Sequence, residues 1–214
     1  MADRADSGEA MPVTAVTWDI GRVLYRWSPR YLYEKLIVDA AKLEWFLDHV
    51  VTEEWHFQHD AGRPLDRMIS ERVAQFPADA ALIEAYHPRW LETIPGPVPK
   101  THELVEALAD AGVPQFSITN FGADTFAMFR PTAPILDRFG DIVVSGVEKL
   151  AKPDPAIFAL ARRRFAIDPA QTLFIDDNAA NIRSAAACGW QVHHFVGAEP
   201  LIEDLSARGL IGAR

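Results

Sequence analysis

Residues 12–27 read PVTAVTWDIGRVLYRW. The β-branched and apolar run at 13–18 predicts a strand, which stops at Asp19 and is followed by a turn that contains Gly21. In open α/β sheets, ligands bind at the carboxyl ends of the strands, which is where Asp19 is expected. Taken alone, Asp19 could equally cap the turn that follows it, so the later segments decide between a functional and a structural carboxylate.

Further strands alternate with helices after residue 99, and this alternation predicts the fold class. The expected strands span 13–19, 113–119, 141–145, 172–176 and 191–195. The expected helices span 100–111, 123–130, 134–139, 154–165, 179–188 and 200–208. Strands that alternate with helices indicate an α/β protein with a doubly wound, Rossmann-like parallel sheet.

The stretch between the first two strands has a different character. Apolar residues recur at helical spacing throughout 28–95, and no convincing strand pattern occurs there. We therefore expect a helical cap at 28–95, inserted into an α/β core made of 13–27 and 96–214. Residues 1–12 are expected to form a disordered tail.

Composition excludes several classes of partner. The chain of 214 residues has a formal net charge of −9, which argues against nucleic acid or an anionic membrane surface as its main partner. Its single cysteine, Cys188, cannot form an internal disulfide and fits a reducing, cytoplasmic location. No apolar run approaches the ~18 residues of a membrane span, and the amino-terminal residues lack the apolar segment of a signal peptide. The sequence gives no indication of the oligomeric state.

Polar residues follow the predicted strands and should meet at one edge of the sheet. They are Asp19, Thr119 with Asn120, Lys152, and Asp176 with Asp177. Carboxylates suit a hard cation such as Mg²⁺, whereas a lysine and a hydroxyl suit phosphate oxygens. A carboxylate nucleophile can also form an acyl phosphate and so divide one displacement into two easier steps. This combination predicts a phosphoryl-transfer site that binds a small phosphorylated molecule.

Four motifs in this order resemble those of the haloacid dehalogenase (HAD) superfamily of hydrolases. They read DIGRV from Asp19, SITN from Ser117, SG at 145–146 continuing to KPDP from Lys152, and FIDDNAAN ending at Asn181. The resemblance covers about residues 13–210 and implies a HAD-like core with the helical C1-type cap inserted after the first motif. The first motif is most similar to that of the branch that includes sugar-phosphate phosphatases.

The resemblance implies a role for each matching residue. Asp19 would be the nucleophile and a metal ligand, and Mg²⁺ would also be bound by the carbonyl of Gly21 and by Asp177, with Asp176 beside it. Thr119 and Asn120 would hold the phosphoryl group, and Lys152 would neutralise its developing charge. Asn181 would orient the acid pair. Asp176 could instead be purely structural, and for Ser117 we favour core packing over a contact with phosphate.

One position departs from the family pattern. Phosphatases of this superfamily usually carry a second aspartate two residues after the nucleophile, which protonates the leaving group, and here that position is Gly21. Arg22 can help to bind substrate, but its permanent charge makes it a poor proton donor. In the cap, His59 or Asp60 is a candidate to meet the leaving group, although we favour a helix end with one buried aromatic residue and solvated histidines.

Three functions remain compatible with the sequence. The first is a Mg²⁺-dependent phosphatase that acts on a small phosphorylated metabolite, such as a sugar phosphate, through an aspartyl-phosphate. The second is a 2-haloacid dehalogenase, although those enzymes usually lack the acid pair found here at Asp176 and Asp177. The third is a weakly active or non-catalytic binding module, which the glycine at position 21 would explain.

Overall fold

The computed structural model describes residues 11–212 and contains a five-stranded parallel sheet in the order β5-β4-β1-β6-β7. Its strands are β1 (Ala15–Trp18), β4 (Gln115–Thr119), β5 (Ile142–Val144), β6 (Thr172–Asp176) and β7 (Gln191–His194). The predicted doubly wound α/β fold is therefore confirmed. Most of the expected tail at 1–12 lies outside the described residues; Met11 and Pro12 have no regular structure.

Helices cover both faces of this sheet and fill two hydrophobic clusters. One cluster includes Trp18, Leu104 and Leu108, and the other includes Phe158 and Phe174. Every residue of β1 is buried, as expected for a central strand of a parallel sheet with both faces covered. The core helices are α6 (Thr101–Asp110), α7 (Ala123–Phe129), α8 (Ser145–Glu148), α9 (Pro155–Phe165), α10 (Ala179–Ala187) and α11 (Ala198–Ala207).

Between β1 and β4, the regular structure of residues 28–95 is entirely helical. The helices are α1 (Arg30–Tyr33), α2 (Ala40–His49), α3 (Glu53–Asp60), α4 (Leu65–Gln75) and α5 (Ala80–Glu84), followed by a 3₁₀ turn at Trp90–Thr93. Asp39 and Thr52 cap α2 and α3 by accepting hydrogen bonds from backbone amides of their first turns. Short loops and local caps thus explain why this segment folds into helices.

A two-stranded antiparallel ribbon forms the base of the helical insertion. Tyr25–Arg26 (β2) pairs with Gly96–Pro97 (β3), so the chain enters and leaves the insertion side by side. The sequence did not predict this ribbon, because two-residue strands are too short to show an alternating pattern. Its consequence is a defined junction between the helices and the sheet.

The apolar interior is continuous across this junction. Phe46, Trp55 and Trp90 from the insertion belong to the same buried cluster as Trp18 from the sheet. Within residues 11–212, no helix combines the length and apolarity needed to cross a bilayer.

Candidate active site

Three carboxylates meet where β1 and β6 end. The two strands are parallel neighbours, with Trp18 opposite Ile175, so their next residues lie side by side. One carboxylate oxygen from each of Asp19, Asp176 and Asp177 falls within 4.8 Å of the others. Sheet register alone thus produces the predicted acidic cluster.

Lys152 lies between two of these acids and is only 1% exposed. Its Nζ is 2.9 Å from Oδ1 of Asp19 and 2.7 Å from Oδ2 of Asp176, and it also donates to the carbonyl of Ile118 at 2.8 Å. Burial by itself lowers the pKa of Lys152, but Asp176 and Asp19 outweigh burial and the net shift is upward. The side chain is therefore a fixed, permanent positive charge beside the candidate nucleophile.

Asn120 holds the loop that carries Lys152. Its Nδ2 donates to the carbonyl of Lys152 and its Oδ1 accepts from the Lys152 amide, both at 2.9 Å. The side-chain amide of Asn120 is thus engaged with the backbone of Lys152, which leaves its backbone amide as the group of Asn120 that can hold phosphate. The neighbouring hydroxyl of Thr119 is buried, and it forms no hydrogen bond within residues 11–212. That buried hydroxyl can donate to a ligand.

The two acids that follow one another, Asp176 and Asp177, differ: the first is held by hydrogen bonds and the second is accessible. Asp176 is fully buried and accepts from Lys152, from the Asn178 amide at 2.7 Å and from Nδ2 of Asn181 at 3.0 Å. Asn181 is therefore placed as the sequence suggested. Asp177 is half-buried and lines the cavity described below. Burial and Asp176 raise the pKa of Asp177, while the Arg22 guanidinium opposes that shift.

The charges at this edge fit a divalent cation. Burial raises the pKa of Asp19 to about 7; Lys152 opposes the shift, and Asp176 and Asp177 add to it. Three carboxylates lie close together and only two of them contact the single ammonium of Lys152, so negative charge is left uncompensated, and all of the donors are hard oxygens. This donor set fits Mg²⁺, which binds one or two carboxylates together with water and phosphate oxygens.

A cavity of about 160 Å³ opens onto the site. Of the residues singled out from the sequence, those that line it are Asp19, Gly21, Arg22, Asp60, Asn120, Asp177 and Asn181. Thr119, Lys152 and Asp176 are not in its lining and are almost completely buried. Ser117 is in the core, as favoured, and donates to the carbonyl of Trp18 at 2.8 Å.

Part of the cavity lining is aromatic. It is formed by Tyr25, Trp27, Trp90 and Phe121. Arg22, at the mouth, has a left-handed backbone with φ of 60°, and its guanidinium carbon is 5.1 Å from the Trp27 ring centroid. The same guanidinium donates to Glu53 in α3, so Arg22 links the catalytic loop to the helical insertion.

The structure does not bring His59 into the cavity lining. Its Nδ1 is 3.0 Å from the carbonyl of Arg63, and its Nε2 is 2.8 Å from Oδ1 of Asp124 in α7. A β-carbon built on Gly122 would lie 1.9 Å from the same Nε2, so the ring packs directly against the backbone there. His59 therefore joins the insertion to the core.

Two other residues of α3 line the cavity instead, namely His56 and Asp60. Asp60 was a candidate from its sequence, whereas His56 was not. The spacing of four residues between them was the available signal, because it places both side chains on one face of a helix.

Known proteins resemble this chain over nearly its whole length. The sesquiterpene phosphatase astK of Aspergillus oryzae is 25% identical over 199 residues, covering 92% of this chain and 96% of that protein. The HAD family enzyme bt-2542 of Bacteroides thetaiotaomicron has a similar structure, with a TM-score of 0.68 at 18% identity, covering 92% of this chain and 98% of that one. L-2-haloacid dehalogenase of Xanthobacter autotrophicus, with chloropropionic acid covalently bound, has a TM-score of 0.63 at 16% identity over 94% of this chain and 85% of that one. These two structural likenesses concern the fold. The sequence model of the haloacid dehalogenase-like hydrolase family matches residues 8–189, and the chain therefore belongs to that family.

Proposed function

We propose that this hydrolase is a Mg²⁺-dependent phosphatase that cleaves small phosphate monoesters through an aspartyl-phosphate on Asp19. The observation that carries the proposal is the cluster of Asp19, Asp176 and Asp177, two of which, Asp19 and Asp176, contact the ammonium of Lys152. A carboxylate nucleophile, a fixed cation and oxygen ligands for a metal are the parts that phosphoryl transfer requires.

Each residue has a defined task in the proposed reaction. Asp19 attacks phosphorus, and Lys152 stabilises the charge on the transferring group. The Thr119 hydroxyl, which lacks a partner among the described residues, and the backbone amide of Asn120 hold phosphoryl oxygens. Mg²⁺ would be held by Asp19, Asp177 and the carbonyl of Gly21, and would neutralise charge on the phosphoryl oxygens.

The cavity wall supports a substrate with an apolar leaving group. Tyr25, Trp27, Trp90 and Phe121 offer aromatic surface to the part of the substrate beyond the phosphate. A relative at 25% identity is named a sesquiterpene phosphatase, which agrees with such a wall. We therefore rank prenyl and aryl phosphates ahead of the sugar phosphates suggested by the first motif. Residues 28–95 would act as the cap that shields this leaving group from water.

The dehalogenase alternative has a weaker basis. That chemistry needs no metal, so it does not account for three carboxylates held together at one edge. The similar dehalogenase structure shares the fold, and its activity does not transfer to this chain. A non-catalytic binding module would likewise not account for the buried Lys152, whose ammonium lies between two carboxylates.

The proposed function is tested by measuring phosphate release with Mg²⁺ from p-nitrophenyl phosphate, a prenyl monophosphate and hexose phosphates. We expect turnover that is abolished by EDTA and restored by Mg²⁺, with the prenyl ester preferred over the sugars. Asp19→Asn should lose essentially all activity, because an amide does not attack phosphorus. Halide release from 2-chloropropionate in the presence of EDTA, without phosphate release from any ester, would replace this proposal with the dehalogenase function.

A further inference from the structure

We infer that Asp60 is the catalytic acid and base that position 21 lacks: it protonates the leaving group and then activates the hydrolytic water. The inference rests on the proposed phosphatase function. It follows from where the helical insertion places one buried carboxyl group in relation to Asp19.

Asp60 is the last residue of α3 and is 7% exposed, yet it lines the same cavity as Asp19. Its Oδ1 is buried and forms no well-aligned hydrogen bond within residues 11–212, although Nε2 of His56 lies 3.3 Å away. Buried carboxyl oxygens are normally satisfied, so an unsatisfied one at a cavity indicates a partner that arrives with the substrate. The oxygen of a phosphate ester is such a partner.

The carboxyl group of Asp60 is held in place from two directions. Oγ of Ser145 donates to its backbone carbonyl at 2.6 Å, which fixes the end of α3 against α8. Nε2 of His56 lies 3.3 Å from Oδ1 of Asp60, and Nδ1 of the same ring lies 2.8 Å from the hydroxyl of Tyr86. His56 and Tyr86 are therefore positioning residues that restrict how the carboxyl group can rotate.

The surroundings favour the protonated form of Asp60. Burial raises the pKa of Asp60 to about 8; the Gly122 amide and Lys152 oppose the shift, and Asp19 adds to it. Burial lowers the pKa of His56 to about 3, so this neighbour is neutral at pH 7 and does not compete for the proton. Burial keeps the pKa of Tyr86 well above its usual value, so the hydroxyl also stays uncharged.

The other candidates near position 21 and on α3 that the sequence suggested do not supply this proton. Gly21 has no side chain, and the guanidinium of Arg22 stays charged and is bound to Glu53. His59 is outside the cavity lining, with its ring nitrogens beside Arg63 and Asp124.

The two proton transfers balance across the reaction. In the first step, Asp19 forms a bond to phosphorus, the bond from phosphorus to the ester oxygen breaks, and that oxygen takes the proton of Asp60 and leaves as an alcohol. In the second step, water attacks the phosphorus of the aspartyl-phosphate and gives a proton to the Asp60 carboxylate. The bond from phosphorus to Asp19 breaks, so inorganic phosphate, ionised Asp19 and protonated Asp60 are regenerated.

The test measures kcat/KM for a series of aryl and alkyl phosphates with wild type and Asp60→Asn. This constant reports formation of the phosphoenzyme, where the leaving group needs its proton. We expect Asp60→Asn to lose ~10²–10⁴-fold on alkyl phosphates, the contribution typical of general acid catalysis. The loss on p-nitrophenyl phosphate, whose leaving group is stable as an anion, should stay below ~10-fold. Asp48→Asn, the same change at an exposed residue of α2, is the matched control and should leave all rates unchanged.

Two further measurements distinguish loss of the acid from misfolding of the Asp60→Asn variant. The wild-type rate on alkyl phosphates should fall as the pH rises through about 8, as Asp60 loses its proton, and Asp60→Asn should lack this decline. A β-carbon at Gly21 meets no atom within 4 Å, so Gly21→Asp is sterically acceptable. In the Asp60→Asn background it should restore alkyl ester hydrolysis by at least ~10-fold.

The outcomes separate this inference from the proposed function. Suppose that wild type hydrolyses the esters and that Asp60→Asn slows all of them by the same factor, so that the rates depend on the leaving group as in wild type. Asp60 is then not the acid, and the phosphatase assignment stands. If wild type hydrolyses none of the esters, the proposed function and this inference are both wrong.

Discussion

At the residue scale, Asp60 links catalysis to stability. Its pKa is about 8 in the folded protein, against an ordinary value of 3.8. The folded state therefore binds the proton more tightly than the unfolded state. The resulting contribution to stability is complete below pH 3.8 and is lost as the pH rises through about 8.

This linkage predicts how Asp60→Asn changes thermal stability. The amide has no proton to lose, so the variant should gain in melting temperature relative to wild type as the pH rises from 5 to 9. The gain should reach several degrees, since ~1 kcal/mol corresponds to ~2–4 °C in a protein of this size. Calorimetry at matched ionic strength measures it, with Asp48→Asn as the control. A difference between variant and wild type that does not change with pH would contradict the raised pKa.

The structure brings some of the predicted site residues together and leaves others apart, for a physical reason. Asp19 and Asp177 directly follow strands β1 and β6, and the topology of a parallel sheet brings such strand ends together. His59 and Asp60 are adjacent on one helix, so which of them reaches the cavity depends on the rotation of α3 against the core. That rotation is set by packing against Gly122 and is not encoded in local periodicity.

At the element scale, α3 and the loop after β4 are in unusually close contact. Nε2 of His59 occupies the space that a side chain at position 122 would need. Gly146, at the start of α8, is similarly restricted, because its β-carbon would be 2.6 Å from the amide nitrogen of Ala123. Glycine at position 122 lets the His59 side chain of the insertion pack against the core backbone, and glycine at position 146 lets α8 lie close to the loop after β4.

Gly122→Ala should therefore displace α3. The methyl group would fall 1.9 Å from His59 Nε2, so the ring or the helix must move, and overpacking of this kind costs about 1–3 kcal/mol. Because Asp60 is the next residue, we also expect turnover of alkyl phosphates to fall. Thermal melting and ester hydrolysis measure the two effects. Gly212→Ala, where a β-carbon meets nothing within 4 Å, is the control, and equal melting temperatures for both variants would contradict the prediction.

Among the secondary structure elements, the regular ones were predictable and the short ones were not. The strands of the main sheet and the helices around it follow from alternation of apolar runs with amphipathic stretches. The ribbon of Tyr25–Arg26 with Gly96–Pro97 and the four-residue helix Ser145–Glu148 lack such a pattern. Both are fixed by tertiary contacts, since each lies where the insertion meets the core.

At the scale of the whole molecule, the acidic edge should couple metal binding to folding. The carboxylates of Asp19 and Asp177 come together in the folded protein, so Mg²⁺ should bind the native state in preference to the unfolded chain. Saturating Mg²⁺ at ~100 times its dissociation constant would then add ~2.7 kcal/mol to the free energy of unfolding.

Thermal denaturation with and without MgCl₂ checks this coupling without any enzyme assay. Wild type should melt several degrees higher with Mg²⁺, and Asp177→Ala should lose most of that increase. Sodium chloride at the same ionic strength controls for general screening, and Asp48→Asn should respond as wild type does. An equal Mg²⁺ response in Asp177→Ala and wild type would place the cation elsewhere.

The ribbon at the base of the insertion has a consequence for how such enzymes diversify. Because Arg26 and Gly96 are paired, the two-stranded ribbon requires only that β2 and β3 meet. It does not depend on the length of the chain between them. If Asp60 is the acid, the proton donor lies in the helical insertion and the nucleophile lies in the α/β core. Replacement of the insertion would then change substrate choice and acid catalysis in a single event. A core that inherits a new insertion without a suitable acid would be limited to esters whose leaving groups need no proton.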